Sequence, residues 1–191
     1  MGVFTLPDGY AEIKCVNLQK DKKLAVLINI GAAAMIIALF FVGNMFVPFS
    51  FTITNDNFLF VLLNLLGLLF ANLLYLLAHE FVHGIFIKRY SGKKAKYGFT
   101  GLYAYAGSDA YFNKRQYIVI ALAPVVLFGV IFLLLNLFLS KEWFWWIFFL
   151  QMLNLSGAAG DFYITWLMSR LPVDVLTTDK GVSMIMYSRI K

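Results

Sequence analysis

The sequence predicts an all-α polytopic membrane protein with four transmembrane helices and a short cytoplasmic β-hairpin between helices 2 and 3. Its 191 residues are 61% hydrophobic and only 14% charged, so polar side chains could not cover a soluble globular surface. The apolar residues fall into four runs, and each reaches the ~20 helical residues needed to cross hydrocarbon. We therefore predict a single membrane domain over residues 1–191.

The apolar runs set the predicted boundaries. The four helices are expected at residues 24–49, 58–88, 116–139 and 143–169. The polar segments are a cytoplasmic N-terminal segment at 1–23, a loop at 91–115 and a tail at 170–191. The N-terminal segment lacks the short apolar core and cleavage site of a secretory signal, so the first helix is expected to stay in the mature protein.

The basic residues predict the orientation, because Lys and Arg accumulate in short cytoplasmic loops. Of the sixteen basic residues, only Lys141 falls on the opposite face when both termini are placed in the cytoplasm. The net charge of +6 then reflects this topology and attraction to the lipid bilayer, and we expect no nucleic-acid partner. The sequence indicates a multi-pass protein of a bacterial cell membrane, in which Cys15 is a free thiol.

Aromatic residues alternate within the loop at 91–115. Tyr97, Phe99, Tyr103 and Tyr105 fall at every second position with Gly101 between them, as in a strand. The "GSD" of residues 107–109 is a turn signal. This pattern predicts a hairpin near the membrane surface. An irregular loop with aromatic side chains among the lipid headgroups is the alternative.

A metal-binding pattern stands at the end of the second apolar run. His79-Glu80-Phe81-Val82-His83 matches H-E-x-x-H, whose histidines share one helix face and can reach one Zn²⁺ while the glutamate addresses a water. The chain has only two histidines. Burying such groups in the bilayer costs about 2.5–3.5 kcal/mol each without a partner, which a metal would supply.

Two simpler explanations of these histidines remain open. They can be hydrogen-bonded core residues of a helix bundle. They can also lie among headgroups, since His79 is about 33 Å along the helix from Asn57 and so near the inner boundary.

A catalytic zinc site usually takes a third protein ligand. Of the other acidic residues, all but Asp161 fall in polar cytoplasmic segments, on the far face or in the tail. Asp161 is expected at the depth of the histidines, and the preceding "SGAAG" at 156–160 is poor helix material that could let it reach a metal. Alternatively, Gly157 and Gly160 serve only packing. Asn154 can hydrogen-bond either a substrate strand or a neighbouring helix.

These residues resemble the site-2 proteases, membrane-embedded zinc metallopeptidases with H-E-x-x-H on one core helix and a ligand aspartate on the third. That family's later motif reads approximately N-x-x-P-x-P-x-x-D-G. Here "NLSGAAGD" keeps Asn154 and Asp161, lacks the prolines and is followed by Phe162. "ALAPVV", with Pro124, is similar to the G-P segment of the family's middle core helix.

More narrowly, the chain resembles small bacterial membrane proteins described as "putative zincin peptidases". "HEFVHG", "KRQYIVIALAP" and "SGAAGD" occur in that order, and the resemblance covers about residues 20–170. It implies a catalytic core of helices 2 to 4, with the first helix as an addition.

The leading hypothesis is a zinc-dependent membrane-embedded endopeptidase that cleaves membrane-protein or peptide substrates near the cytoplasmic face. One Zn²⁺ per chain would be held by His79, His83 and Asp161, with Glu80 as the general base. Asn154, Tyr103 and Tyr105 are candidate substrate-binding residues. The alternatives are an inactive pseudoprotease that binds membrane proteins and a metal transporter, and the oligomeric state stays open.

Overall fold

The computed structural model describes residues 3–52, 54, 56–101, 103–181 and 183–190. Its helices are α1 Lys22–Phe46, α2 Phe58–Ser91, α3 Lys114–Phe138, α4 Phe144–Gly157 and α5 Ala159–Arg170, with a 3-10 turn at Lys141–Trp143. Its strands are β1 Tyr10–Val16, β2 Lys96–Phe99, β3 Ala104–Asn113, β4 Leu176–Asp179 and β5 Met184–Arg189.

The predicted all-α class is wrong, because the strands form one five-stranded antiparallel sheet in the order β1-β5-β4-β3-β2. The fold is mixed α/β. The sheet draws its strands from the N-terminal segment, the loop between α2 and α3, and the C-terminal tail. Since these segments are far apart along the chain, no local pattern signals that they pair.

The prediction of four spanning helices is also wrong. Among the described residues, three helices are long and apolar enough to cross a membrane: α1, α2 and α3. The predicted helix at 143–169 is interrupted at Ala158, which separates α4 from α5. The interruption falls within the weakly helical "SGAAG" segment, where two glycines and a serine lower the helix propensity.

The loop between α2 and α3 does contain a hairpin, although its turn is not where the sequence placed it. Strands β2 and β3 pair antiparallel, with Lys96 opposite Gly107 and Phe99 opposite Ala104. At the end of the hairpin the Thr100 amide donates to the Tyr103 carbonyl at 2.9 Å, and Gly101 has left-handed backbone (φ 90°). The "GSD" segment therefore runs inside β3, and the hairpin is one end of the larger sheet.

Side chains define several helix ends. The Asp21 carboxylate accepts from the Leu24 amide at the start of α1. Asn113 and Gln116 form a reciprocal capping box that starts α3 immediately after β3. Lys114 Nζ donates to the carbonyls of Ser169 and Leu171, at 2.9 and 2.8 Å, and so ties the end of α5 to the start of α3.

Two apolar clusters hold the elements together. The larger lies between the sheet and the ends of α2, α3 and α5, around Phe112, Met168 and Met186, which are at most 1% exposed. The smaller joins Tyr75, Phe132 and Ile147 within the helices. Many other leucines and phenylalanines of α1, α2 and α3 face outward, as lipid-facing side chains do.

Candidate active site

Helices α2 and α5 bring the H-E-x-x-H histidines and Asp161 together. The two Nε2 atoms of His79 and His83 are 3.2 Å apart. The carboxylate oxygens of Asp161 lie 3.5 Å from His79 Nε2 and 3.7 Å from His83 Nε2. Because α5 starts at Ala159, Asp161 belongs to its first turn, so the interruption at Ala158 sets the direction of this carboxylate.

A backbone carbonyl fixes the protonation pattern of His83. Its Nδ1 lies 2.8 Å from the carbonyl oxygen of Ile120 on α3, in a fully buried contact. A carbonyl can only accept, so Nδ1 carries the hydrogen. In the neutral ring Nε2 then carries no hydrogen, and its lone pair faces His79 and Asp161.

The same reasoning determines which nitrogen of His79 carries the hydrogen, through the side chains of Asn154 and Tyr75. Asn154 Nδ2 donates to the Val125 carbonyl at 3.1 Å, which orients the amide so that its Oδ1 faces Tyr75. The Tyr75 hydroxyl donates to that Oδ1 at 2.9 Å and must therefore accept from His79 Nδ1, also at 2.9 Å. In the neutral ring of His79, Nε2 consequently carries a lone pair and no hydrogen as well.

The two Nε2 atoms are buried and 3.2 Å apart, so their lone pairs repel each other. Only a positive species between the rings, a proton or a metal ion, turns this repulsion into attraction. Two ligand atoms about 2.0–2.1 Å from one tetrahedral Zn²⁺ would lie about 3.3 Å apart. The distances of 3.2, 3.5 and 3.7 Å among the two Nε2 atoms and the carboxylate are close to that spacing, so the residues fit zinc.

Glu80 stands beside this group. Ligand atoms of His79, Glu80 and His83 all lie within 4.8 Å of one another, a set that could hold a metal ion. Glu80 is half-buried and also interacts with the backbone amide of Ala106 on β3. This position leaves its carboxylate within reach of a water molecule held at the histidines.

The four residues line one cavity of about 520 Å³, which we call the central cavity. Helix α1 contributes one wall, including Ala25, Asn29 and Ala32. The turn and first residues of β3 contribute another, with Tyr103 and Tyr105. No lysine or arginine is among the described residues that line it, and three carboxylates are, those of Glu80, Asp161 and Asp179.

The three candidate substrate-binding residues occupy different environments. Tyr103 lines the central cavity, and its hydroxyl lies 3.4 Å from Asn29 Nδ2 on α1. The ring of Tyr105 packs so closely on Gly98 and Gly181 that an added Cβ at either glycine would overlap it. Asn154 is fully buried, and both ends of its amide are engaged by protein groups.

The structure also places Asp179 in the central cavity, whereas the sequence assigned it to a polar tail. The hydroxyl of Tyr117 donates to its Oδ2, and the amide of Gly181 donates to its Oδ1 at 2.7 Å. Burial raises the pKa of the Asp179 carboxyl. Sequence reasoning also missed Tyr75, although its position four residues before His79 places both on one helix face.

Comparison with known proteins bears on this arrangement. The model of a protein family described as "Putative zincin peptidase" matches residues 72–176, which is more than half of the chain. The matched segment contains His79, Glu80, His83, Asn154 and Asp161. No curated protein and no solved structure matches the chain.

Proposed function

We propose, from the premise that this chain belongs to the family of "putative zincin peptidases", that it is a zinc-dependent endopeptidase of the membrane. Membership of that family makes a zinc metallopeptidase the expected activity. The finer proposal is cleavage of membrane-protein or membrane-associated peptide substrates near the cytoplasmic face, in the manner of the site-2 proteases that the sequence resembles.

One observation carries the proposal. Hydrogen bonds donated by Nδ1 leave both histidines of H-E-x-x-H with a lone pair on Nε2, and both lone pairs face the Asp161 carboxylate inside the central cavity. A histidine pair that served only packing would have no need of a convergent carboxylate. We therefore assign His79, His83 and Asp161 as the ligands of one Zn²⁺.

The chemistry divides between the ion and the chain. A bound zinc ion supplies Lewis acidity, which acidifies water and polarises a carbonyl. Glu80 accepts the proton of the attacking water and delivers it to the amine that leaves when the peptide C–N bond breaks. The walls of the central cavity limit the access of other water molecules, and Tyr103 and Tyr105 contact the substrate segment.

The setting in the membrane supports this assignment. Three helices of the described chain are long and apolar enough to span a bilayer, and α2, which carries H-E-x-x-H, is one of them. The histidines lie in the C-terminal half of α2, towards the sheet. We propose that the sheet and both termini are cytoplasmic, so that the central cavity lies at the inner face of the bilayer.

Glu80→Gln tests the function directly. The variant should keep about one zinc per chain, because the proposed ligands are intact, and should lose at least 10²-fold in turnover because the general base is gone. Zinc is measured on protein purified in detergent, and cleavage on membrane-protein substrates found by comparing membrane proteomes. Glu142→Gln, which changes an exposed glutamate on the 3-10 turn, is the matched control and should cleave normally.

Other outcomes would point elsewhere. Normal turnover by Glu80→Gln would remove Glu80 from the mechanism. A wild-type protein that binds zinc and membrane proteins without cleaving any would be a pseudoprotease. Zinc uptake into proteoliposomes would indicate a transporter.

A further inference from the structure

Helix α3 contains a proline where a helix tolerates it least. Pro124 lies eleven residues into α3 and is fully buried. Proline is the least favourable residue in a helix interior, since it lacks an amide hydrogen and its ring crowds the carbonyl four residues before it. In membrane helices such a residue persists when neighbouring groups take up the backbone atoms it frees.

The carbonyl freed by Pro124 is that of Ile120. In an uninterrupted α-helix it would accept from the amide at position 124, and that amide hydrogen does not exist. The same carbonyl oxygen lies 2.8 Å from His83 Nδ1. The donor that replaces the missing helical one is therefore the imidazole of a proposed zinc ligand.

We propose that Pro124 is a positioning residue, which leaves the Ile120 carbonyl free to hold His83 in the tautomer with hydrogen on Nδ1 and the lone pair on Nε2. This inference rests on the proposed zinc site. It accounts for a proline in a buried helix interior, four residues after the carbonyl that His83 contacts.

A kink or simple packing is the competing explanation of Pro124, and volume separates the two. Pro124→Val keeps a similar apolar volume and restores the amide hydrogen. Pro124→Ala restores the amide hydrogen and loses the volume. The restored amide draws the Ile120 carbonyl back towards the helix axis and competes with His83 Nδ1 for it.

Zinc affinity is the first measurement, made on the full-length protein in detergent by competition with a chromophoric chelator. Both variants should bind zinc at least ~10-fold more weakly, as expected when a partner of a metal-ligating histidine is lost. Val126→Ala is the control, because Val126 is outward-facing on the same helix and its change restores no amide. It should bind zinc like the wild type.

Nitrogen-15 NMR of the zinc-free protein is the second measurement, made simple by the presence of only two histidines. The wild type should show hydrogen on Nδ1 of His83, and Pro124→Val should show a mixture or the Nε2–H form. These two readouts do not depend on peptidase activity. The proposed function can therefore fail while this inference holds.

The inference is overturned if Pro124→Val matches the wild type in zinc affinity and tautomer. Loss of affinity in Pro124→Ala alone would assign the effect to packing of the ring. Thermal unfolding of the zinc-free variants guards against misfolding as the cause: a helix with a restored hydrogen bond should melt no earlier than the wild type.

Discussion

At the scale of single residues, the directions of hydrogen bonds matter more than their number. The Val125 carbonyl has no proton to give, so it orients Asn154, then Tyr75, and finally His79. The Ile120 carbonyl does the same for His83 in one step. Both series of hydrogen bonds end at backbone carbonyls of α3. This helix therefore sets which nitrogen of each histidine carries the hydrogen, although none of its own side chains is a proposed ligand.

Asn154→Leu tests the longer chain. Leucine has a similar volume but accepts no hydrogen bond, so the Tyr75 hydroxyl can turn its hydrogen towards His79 Nδ1 and favour the tautomer that blocks Nε2. Zinc affinity should fall by about 10–100-fold. Gln151→Leu also replaces an amide side chain by leucine, one turn earlier on α4, and should leave zinc affinity unaltered. Equal losses in both variants would show that α4 merely tolerates leucine poorly.

Sequence reasoning reached these residues unevenly. His79, Glu80 and His83 stand at a spacing that places them together on a helix, and the sequence predicts Asp161 beside them because no other acidic residue is expected at their depth. Asp179 could not be found this way, because its place in the central cavity depends on the tail folding back as β4. The hydrogen bonds of Asn154 depend on packing between α2, α3 and α4, which a sequence pattern does not specify.

At the scale of elements, α5 is short, and its orientation depends on contacts at both ends. Its first turn carries Asp161, and its last carbonyls are held by Lys114 Nζ from α3. A cation at a helix C-terminus also interacts favourably with the helix dipole. The lysine therefore fixes α5 relative to α3, the helix that orients the histidines.

Lys114→Met should lower the stability of the fold by about 1–2 kcal/mol, because two charge-assisted hydrogen bonds are lost at a partly exposed site. Thermal unfolding in detergent measures this loss. Arg115→Met removes an adjacent, exposed cation and serves as the control. If both variants unfold alike, the contact to α5 contributes nothing specific.

A second element-level prediction concerns pH and the end of β5. The amide of Arg189 and the hydroxyl of Ser188 donate to the Asp174 carboxylate, which lowers the pKa of Asp174. A lowered pKa in the folded state means stability that is present above the ordinary carboxyl range and lost as the pH falls through the folded value. The protection factor of the Arg189 amide, which corrects for the slower intrinsic exchange in acid, should therefore fall as the pH falls. Asp174→Asn should flatten that dependence; an unchanged profile in the variant would contradict it.

The elements were predictable to different degrees. The long apolar helices α1, α2 and α3 have boundaries within a few residues of those predicted, because their length and hydropathy exceed any competing pattern. The short strands β4 and β5 have no such signal. In "MIMYSR" buried side chains alternate with less buried ones, but six residues cannot be told from a helical turn without their partners. Strand β1 lies in a segment that the sequence marks only as polar, and its pairing with β5 is what identifies it as a strand.

At the scale of the whole molecule, β1 lies beside β5, with Tyr10 opposite Arg189 and Val16 opposite Met184. Paired strands must lie on the same side of a membrane. The pairing therefore supports the proposal that both termini are cytoplasmic, which the basic residues predict from the sequence. With both termini on one side, α4 and α5 together must carry the chain back across the bilayer, although neither of these helices, 14 and 12 residues long, spans it alone. Strand β4 then joins β3 in the sheet.

Reporter fusions check this topology. A fluorescent protein attached to either terminus should fluoresce, and alkaline phosphatase at the same sites should be inactive, because both termini are proposed to lie in the cytoplasm. Phosphatase inserted at Lys141, on the predicted outer face, should be active. Phosphatase activity at one terminus only would refute the common location of the two ends.

The pairing of β1 with β5 also has a consequence for biosynthesis. Strand β1 precedes every helix and β5 follows every helix, so the ribosome must translate all of the helical segments before the two strands can meet. Val16 and Met184, which face each other across this pair, both belong to the enclosure around the histidines. The cavity around the histidines is therefore complete only after translation has passed β5, and any activity that requires the closed cavity is delayed until then.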